Sequence, residues 1–322
     1  MSISEITLEE LNAEEFIDKQ VAALASAVGD EIAMSALSGG VDSSVVTLLG
    51  HRAFGDRLKT YFIDNGLMRE GEPQQIGQWF ADLGVKVEIV DAQGEFFAGL
   101  RGLTDPEEKR EKGITQVFYR DVFAELVRRS GARVLLQGTN YTDVEETAAG
   151  VKRQHNVFEQ IGIDPEQAFG YRVIEPILQL RKPAVRAVAR ALGLPPEISE
   201  RPPFPGPALA ARVIGEVTPE RIETVRKATR IVEEELADSG AFQYMAILHQ
   251  DMVTGIRGGR RDFGQQIEVR CWESTDAVTA TPTELPFAKL RRIADRIVEE
   301  VPGVVSVTYN VTAKPPSCIE AV

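Results

Sequence analysis

Apolar and polar positions alternate in two interleaved periods along the first two hundred residues. Residues 31–37 form a short apolar run that ends at glycines, and residues 43–54 follow with helical spacing. The apolar run returns at 58–63 and 85–90, with helical spacing at 73–83 between them. Residues 115–130 predict an amphipathic helix and 133–136 a buried strand. Short buried strands separated by helices specify an α/β fold with a parallel sheet covered on both faces. Residues 194–209 break the pattern with six prolines and one glycine, which no ordinary helix or central strand accommodates. Beyond them the spacing predicts a helix at 218–237, strands at 244–256 and 266–272, a helix at 283–300 and a strand at 304–311. This is a smaller α+β unit, so the expected domains are 1–205 and 206–322.

Composition narrows the class. The chain has 322 residues, 43% of them hydrophobic, enough for more than one core. No run of eighteen apolar residues occurs, so no membrane partner is expected. The N-terminus is acidic and lacks the basic-then-apolar order of a secretory signal. The two cysteines, Cys271 and Cys318, fit neither zinc spacing nor a disulfide framework, and a cytoplasmic location is the expectation. The formal net charge of −13 makes nucleic acid an unlikely ligand.

The chemistry starts at the end of the first apolar run. Ser38-Gly39-Gly40-Val41-Asp42-Ser43-Ser44 follows a strand and opens a helix. Glycines let backbone N–H groups approach phosphate oxygens, and a helix start adds unpaired donors and a positive dipole end. Ser38, Ser43 and Ser44 can add hydroxyl donors, and Asp42 is a candidate magnesium ligand. In parallel sheets ligands bind beyond the carboxyl ends of strands, where this motif falls. No lysine follows Gly40, and the spacing is not G-x-G-x-x-G, so neither the Walker loop nor a nicotinamide fingerprint applies.

This loop resembles the signature of ATP pyrophosphatases of the adenine-nucleotide α-hydrolase type. The resemblance narrows downstream: Leu103-Thr104-Asp105-Pro106-Glu107-Glu108-Lys109-Arg110, Gln137-Gly138-Thr139, residues 201–210 (RPPFPGPALA), and Lys314-Pro315-Pro316 with Ile319-Glu320 are similar to the GMP synthase family, in that family's order and over most of the chain. It implies an ATP pyrophosphatase domain followed by a dimerisation domain, hence a homodimer, with strands whose apolar edges need covering. It also implies a ligase acting with ATP and Mg2+ on XMP or a related nucleotide acceptor. The glutaminase portion of fused family members is absent from this chain, which implies a separate glutamine amidotransferase subunit as partner.

Residue by residue, the resemblance implies that Ser38 to Ser44 and Gly138 bind ATP and Asp42 holds magnesium. Lys152, in a lid at residues 145–168, and Lys182 would be catalytic. Arg110, Arg201, Lys314, Ile319 and Glu320 would contact the acceptor. Asp143 and Glu146 match acidic positions after the Gly-Thr pair. The chain departs from the family at Gln154, Ala208, Gly259 and Cys318, all on the acceptor side, which keeps a paralogue with a different acceptor in view.

Overall fold

A computed structural model describes residues 4–148, 170–201, 204–275 and 278–321. They fall into two compact units, one within Met1–Ile63, Glu72–Asp91 and Val122–Arg201, the other within Asp64–Gly71, Ala92–Asp121 and Pro202–Val322. The units interleave along the chain, so the expected division by sequence continuity at 205 and the division by compactness partition residues 64–71 and 92–121 differently.

The first unit is built on a five-stranded sheet ordered β3-β2-β1-β4-β5, where β1 is Ala33–Leu37, β2 Leu58–Asp64, β3 Val87–Asp91, β4 Val134–Leu136 and β5 Arg172–Ile174. The β1–β2, β1–β4 and β4–β5 pairs run parallel. β1 suits the centre of the sheet because its side chains are mostly apolar and buried: Ala33 and Met34 are completely buried. The chain leaves β1 toward β2 on one side and returns at β4 on the other, so β1 ends at a topological switch point. The helix Val41–Phe54 lies against this sheet so closely that Gly50 has no room for a Cβ beside Leu136.

The second unit carries a hairpin of β6, Gln243–Arg257, and β7, Arg260–Glu273, with β8, Thr281–Pro282, antiparallel to β7 and β9, Val304–Tyr309, parallel to it. The helix Pro219–Leu236 buries Ile222, Val225, Ile231, Val232 and Leu236. It starts as its sequence dictates, with Thr218 accepting from the Arg221 N–H and proline in the first turn. Met245, Ile247, Trp272, Ala280 and Ile319 form a core cluster. Met252, Ile256 and Phe263 stand exposed on the hairpin; the homodimer expectation concerns the edges of the strands at 266–272 and 304–311.

Two local expectations differ from the structure. The helix expected at 115–130 is a wider winding of π type over Lys109–Phe123, continued as an α-helix at Ala124–Ser130; nothing in the sequence accounts for the wider turns. β5 is absent from the sequence pattern, since its three residues begin with an arginine and are only half-buried, unlike the fully apolar and buried β4.

Candidate functional site

The carboxyl end of β1 passes directly into the glycine-rich loop. Gly39 turns the chain at φ +76°, and a Cβ there would stand 2.8 Å from Ile76 Cδ1 and 2.9 Å from Glu72 Oε1. Only glycine fits both that backbone and that space. Gly40 precedes the helix in extended conformation, and no side chain caps the helix start. The leading N–H groups of Val41, Asp42 and Ser43 therefore remain available, with the helix dipole behind them.

The three serines divide their work. Ser43 Oγ accepts the Ser38 N–H at 3.2 Å and lies 3.0 Å from Ser38 Oγ. Ser38 is exposed and Ser43 half-buried, so both flank the open side of the turn. Ser44 is buried and donates to the Gly40 carbonyl at 2.9 Å, closing the turn from inside. Below it, Thr47 donates to the Ser43 carbonyl at 2.8 Å, which leaves Ser35 as donor in the 2.7 Å hydroxyl pair that ties helix to strand.

Two more elements meet the loop within the same unit. Gly138 follows β4, and a Cβ on it would lie 3.1 Å from both the Asp42 carbonyl carbon and the Ser43 nitrogen. A glycine here lets the β4 loop press against the first helical turn. Lys182, the first residue of the helix Lys182–Ala191, pairs with the Asp42 carboxylate through Oδ2. Asp42 Oδ1 is buried and has no hydrogen-bond partner. That orphaned acceptor, beside an oxygen already neutralised by a cation, fits a metal ion held through one carboxylate. Among the described residues no three His, Cys, Asp or Glu side chains converge on a metal. Among the described residues, Asp42 is the side chain that would hold a magnesium ion there.

Arg201 stands in the same unit as this loop. Its guanidinium is 2.6 Å from Glu72 Oε1 and donates to the Gly39 carbonyl at 3.1 Å. Asp143, buried, accepts the Asn140 N–H at 3.1 Å and so serves a turn. The Glu146 side chain, Lys152 and Gln154 lie outside the described residues, as does most of the expected lid.

The remaining sequence candidates gather in the second unit. Pro106, Arg110, Pro207, Ala210 and Ala211 line an open groove of about 130 Å³. Arg110 is exposed, only loosely paired with Glu107 at 3.9 Å, and available to an anion. Its neighbour Lys109 is buried, with Nζ donating to the carbonyls of Val213 at 2.8 Å and Gly215 at 3.0 Å. Burial, and then the charge of Arg221, push its ammonium down to about 8, against the pull of Asp105. Arg221 in turn donates to Ile214 and Glu216 carbonyls at 2.9 and 2.6 Å, so two cations fix four consecutive carbonyls beneath the groove. Ala208, buried beside the groove, sits at φ +53°, a backbone that favours the glycine which the resemblance would place there; the methyl costs about 1 kcal/mol in that conformation.

The C-terminal stretch is held as a strap. Lys314 exchanges backbone hydrogen bonds with Ala280 at 2.8 and 3.0 Å. Ile319 belongs to the core cluster, so its side chain anchors the strap. Arg270 donates to the carbonyls of Cys318 at 2.7 Å and Ile319 at 3.2 Å. Glu320 accepts from Gln243 Nε2 at 2.9 Å and lies 3.5 Å from Nε of the fully buried Arg212. Sequence reasoning missed Glu72, Arg212 and Arg270: each acts through a partner distant in the chain, and no local motif marks it.

A family model for the GMP synthase C terminal domain matches residues 229–321. Among curated relatives, a glutamine-hydrolyzing GMP synthase subunit of Archaeoglobus fulgidus is 49% identical over 96% of this chain and 99% of its own. The subunits of the same name from Methanothermobacter thermautotrophicus and Pyrococcus furiosus are each 46% identical, over 96% and 95% of this chain and 99% and 97% of theirs. With identity at that level along nearly the whole chain, and with the loop, groove and strap all built from the residues that carried the resemblance, the chain belongs to the GMP synthase family, alongside these subunits.

Proposed function

We propose that this chain is the ATP-dependent half of a carbon–nitrogen ligase. It adenylates the C2 carbonyl oxygen of XMP and admits ammonia to give GMP, AMP and pyrophosphate. The observation that carries the reading is the loop at the β1 switch point, where free helix N–H groups, the exposed Ser38 and the Asp42–Lys182 pair converge with Gly138 against the first turn. That arrangement suits the phosphates of a nucleotide.

In this reading the N–H groups of Val41, Asp42 and Ser43 bind the departing phosphates. Lys182, half-exposed, exchanges Asp42 for phosphate oxygen and stabilises charge as pyrophosphate leaves. Bound magnesium would supply charge neutralisation across the phosphates. The acceptor oxygen attacks the α-phosphorus and the bond to pyrophosphate breaks. Ammonia then attacks the adenylated carbon, and AMP leaves with that oxygen. Lys152 would contribute from a lid that excludes water.

Arg110 in the groove and Lys314 on the strap would bind the acceptor's anionic groups. Each charge-assisted contact contributes about 1.5–3 kcal/mol. Titration calorimetry of XMP in the presence of a non-hydrolysable ATP analogue should show roughly ten- to a hundredfold weaker XMP binding for Arg110→Ala and for Lys314→Ala, with affinity for the analogue retained. XMP affinity untouched by both substitutions would remove this acceptor site. A second reading, a paralogue adenylating a different acceptor, is favoured by Ala208 in its left-handed conformation beside the groove. Wild-type protein that binds the analogue and no XMP would favour it over the XMP reading.

A further inference from the structure

We infer that Arg201, paired with the buried Glu72, is a positioning residue of the phosphate loop rather than an acceptor contact. The inference rests on the phosphate-loop reading of Ser38 to Ser44.

The geometry is that of a clamp applied from behind. One guanidinium nitrogen of Arg201 lies 2.6 Å from Glu72 Oε1 and the other donates to the Gly39 carbonyl at 3.1 Å. Both side chains are largely inaccessible, at 16% and 4% exposure, so the pair is shielded from competing solvent. The backbone of Arg201 is itself anchored, because Arg186 donates to its carbonyl at 3.1 Å. Glu72 is equally fixed as the first residue of the helix Glu72–Asp82, whose Ile76 closes on Gly39 from the same side.

What the clamp controls follows from the planarity of the peptide bond. The Gly39 carbonyl and the Gly40 N–H belong to one trans peptide and point in opposite directions. Holding the carbonyl back against Arg201 therefore directs the Gly40 N–H away from Arg201, toward the side of Ser38 Oγ at 3.4 Å. Gly39 has φ +76°, and a glycine's freedom would otherwise let that peptide rotate. Arg201 reaches the carboxylate and the carbonyl at once because its guanidinium is a planar fork; a lysine ammonium is a point charge on a flexible stem and does not reproduce both contacts. A side chain so engaged with Glu72 and Gly39 is placed to act on the loop.

The two roles separate by ligand. For the folded 322-residue chain, calorimetric affinities for a non-hydrolysable ATP analogue and for XMP are measured on wild type, Arg201→Ala, Arg201→Lys and Glu72→Gln. The clamp predicts that Arg201→Ala weakens the analogue about ten- to a hundredfold while XMP affinity stays within about twofold. Arg201→Lys should restore only part of the loss. If Arg201→Ala does not fold, Glu72→Gln carries the test, since it keeps the shape and removes the charge; a weakened analogue supports the clamp and an unchanged one overturns it. Wild-type affinity for the analogue in Arg201→Ala, or loss of XMP affinity alone, also overturns it. Failure of the wild-type chain itself to bind the analogue overturns the phosphate-loop reading, and this inference with it, before any variant is compared.

Discussion

Replacing Asp42 by alanine should lower pyrophosphate release by about a hundred- to a thousandfold while leaving the chain folded. Asp42 is the only acidic residue in the first turn of its helix, and its Oδ1 is a buried acceptor without a partner. Its other oxygen holds Lys182, so the substitution removes both the candidate metal ligand and the group that aligns the lysine. The loss of fold stability is small by comparison. The ion pair is partly exposed and contributes about 0–1 kcal/mol, and an acid at a helix start about 0.3–1 kcal/mol. Alanine itself is the best helix former. Pyrophosphate release and the melting temperature measured on one preparation separate the two effects. A variant that releases pyrophosphate at the wild-type rate would show that Asp42 has no part in handling the phosphates.

The second large effect concerns nitrogen. The purified chain should form GMP with ammonium and form essentially none with glutamine alone. Glutamine hydrolysis needs an activated cysteine paired with a base. Cys271 is buried, and that burial raises its thiol, so the nucleophilic thiolate is disfavoured. Cys318 is exposed on the strap, while His249 is committed to Glu268 at 2.8 Å. The relatives are each named as one subunit of a glutamine-hydrolyzing GMP synthase, which fits a division of labour in which another subunit releases the ammonia. GMP formation followed with each nitrogen source, before and after adding an amidotransferase subunit, checks this. Glutamine turnover by the pure chain would contradict it.

The features legible in the sequence are those carried by adjacent residues. Ser38 to Ser44 can be read because strand, glycines and helix start are contiguous, and local backbone chemistry decides their geometry. The same holds for the long helix at Pro219–Leu236, where Thr218, Pro219 and the apolar period agree. The resemblance added Gly138, whose reason emerges only in three dimensions, as the place where the β4 loop meets Asp42 and Ser43. Arg201 shows the limit: the resemblance implies an acceptor contact, and no local motif reveals its contacts with Glu72 and Gly39, far away along the chain. Glu72 lies in an ordinary amphipathic helix, and nothing local distinguishes a buried carboxylate from a solvated one. The resemblance singles out Ile319 as an acceptor contact, and its burial with Trp272, which anchors the strap, emerges only in three dimensions. Lys109 likewise sits in a charge run that reads as a solvated face, yet it is buried on carbonyl oxygens.

The central claim is that the acceptor's own oxygen attacks the α-phosphorus of ATP, and isotope transfer tests it most directly. XMP labelled with oxygen-18 at the C2 carbonyl is incubated with the chain, ATP, magnesium and ammonium, and the products are separated and weighed by mass spectrometry. The account predicts GMP and AMP in equal amounts, with one labelled oxygen on the AMP phosphate and none in pyrophosphate. Label in pyrophosphate or inorganic phosphate, or ADP in place of AMP, would contradict it.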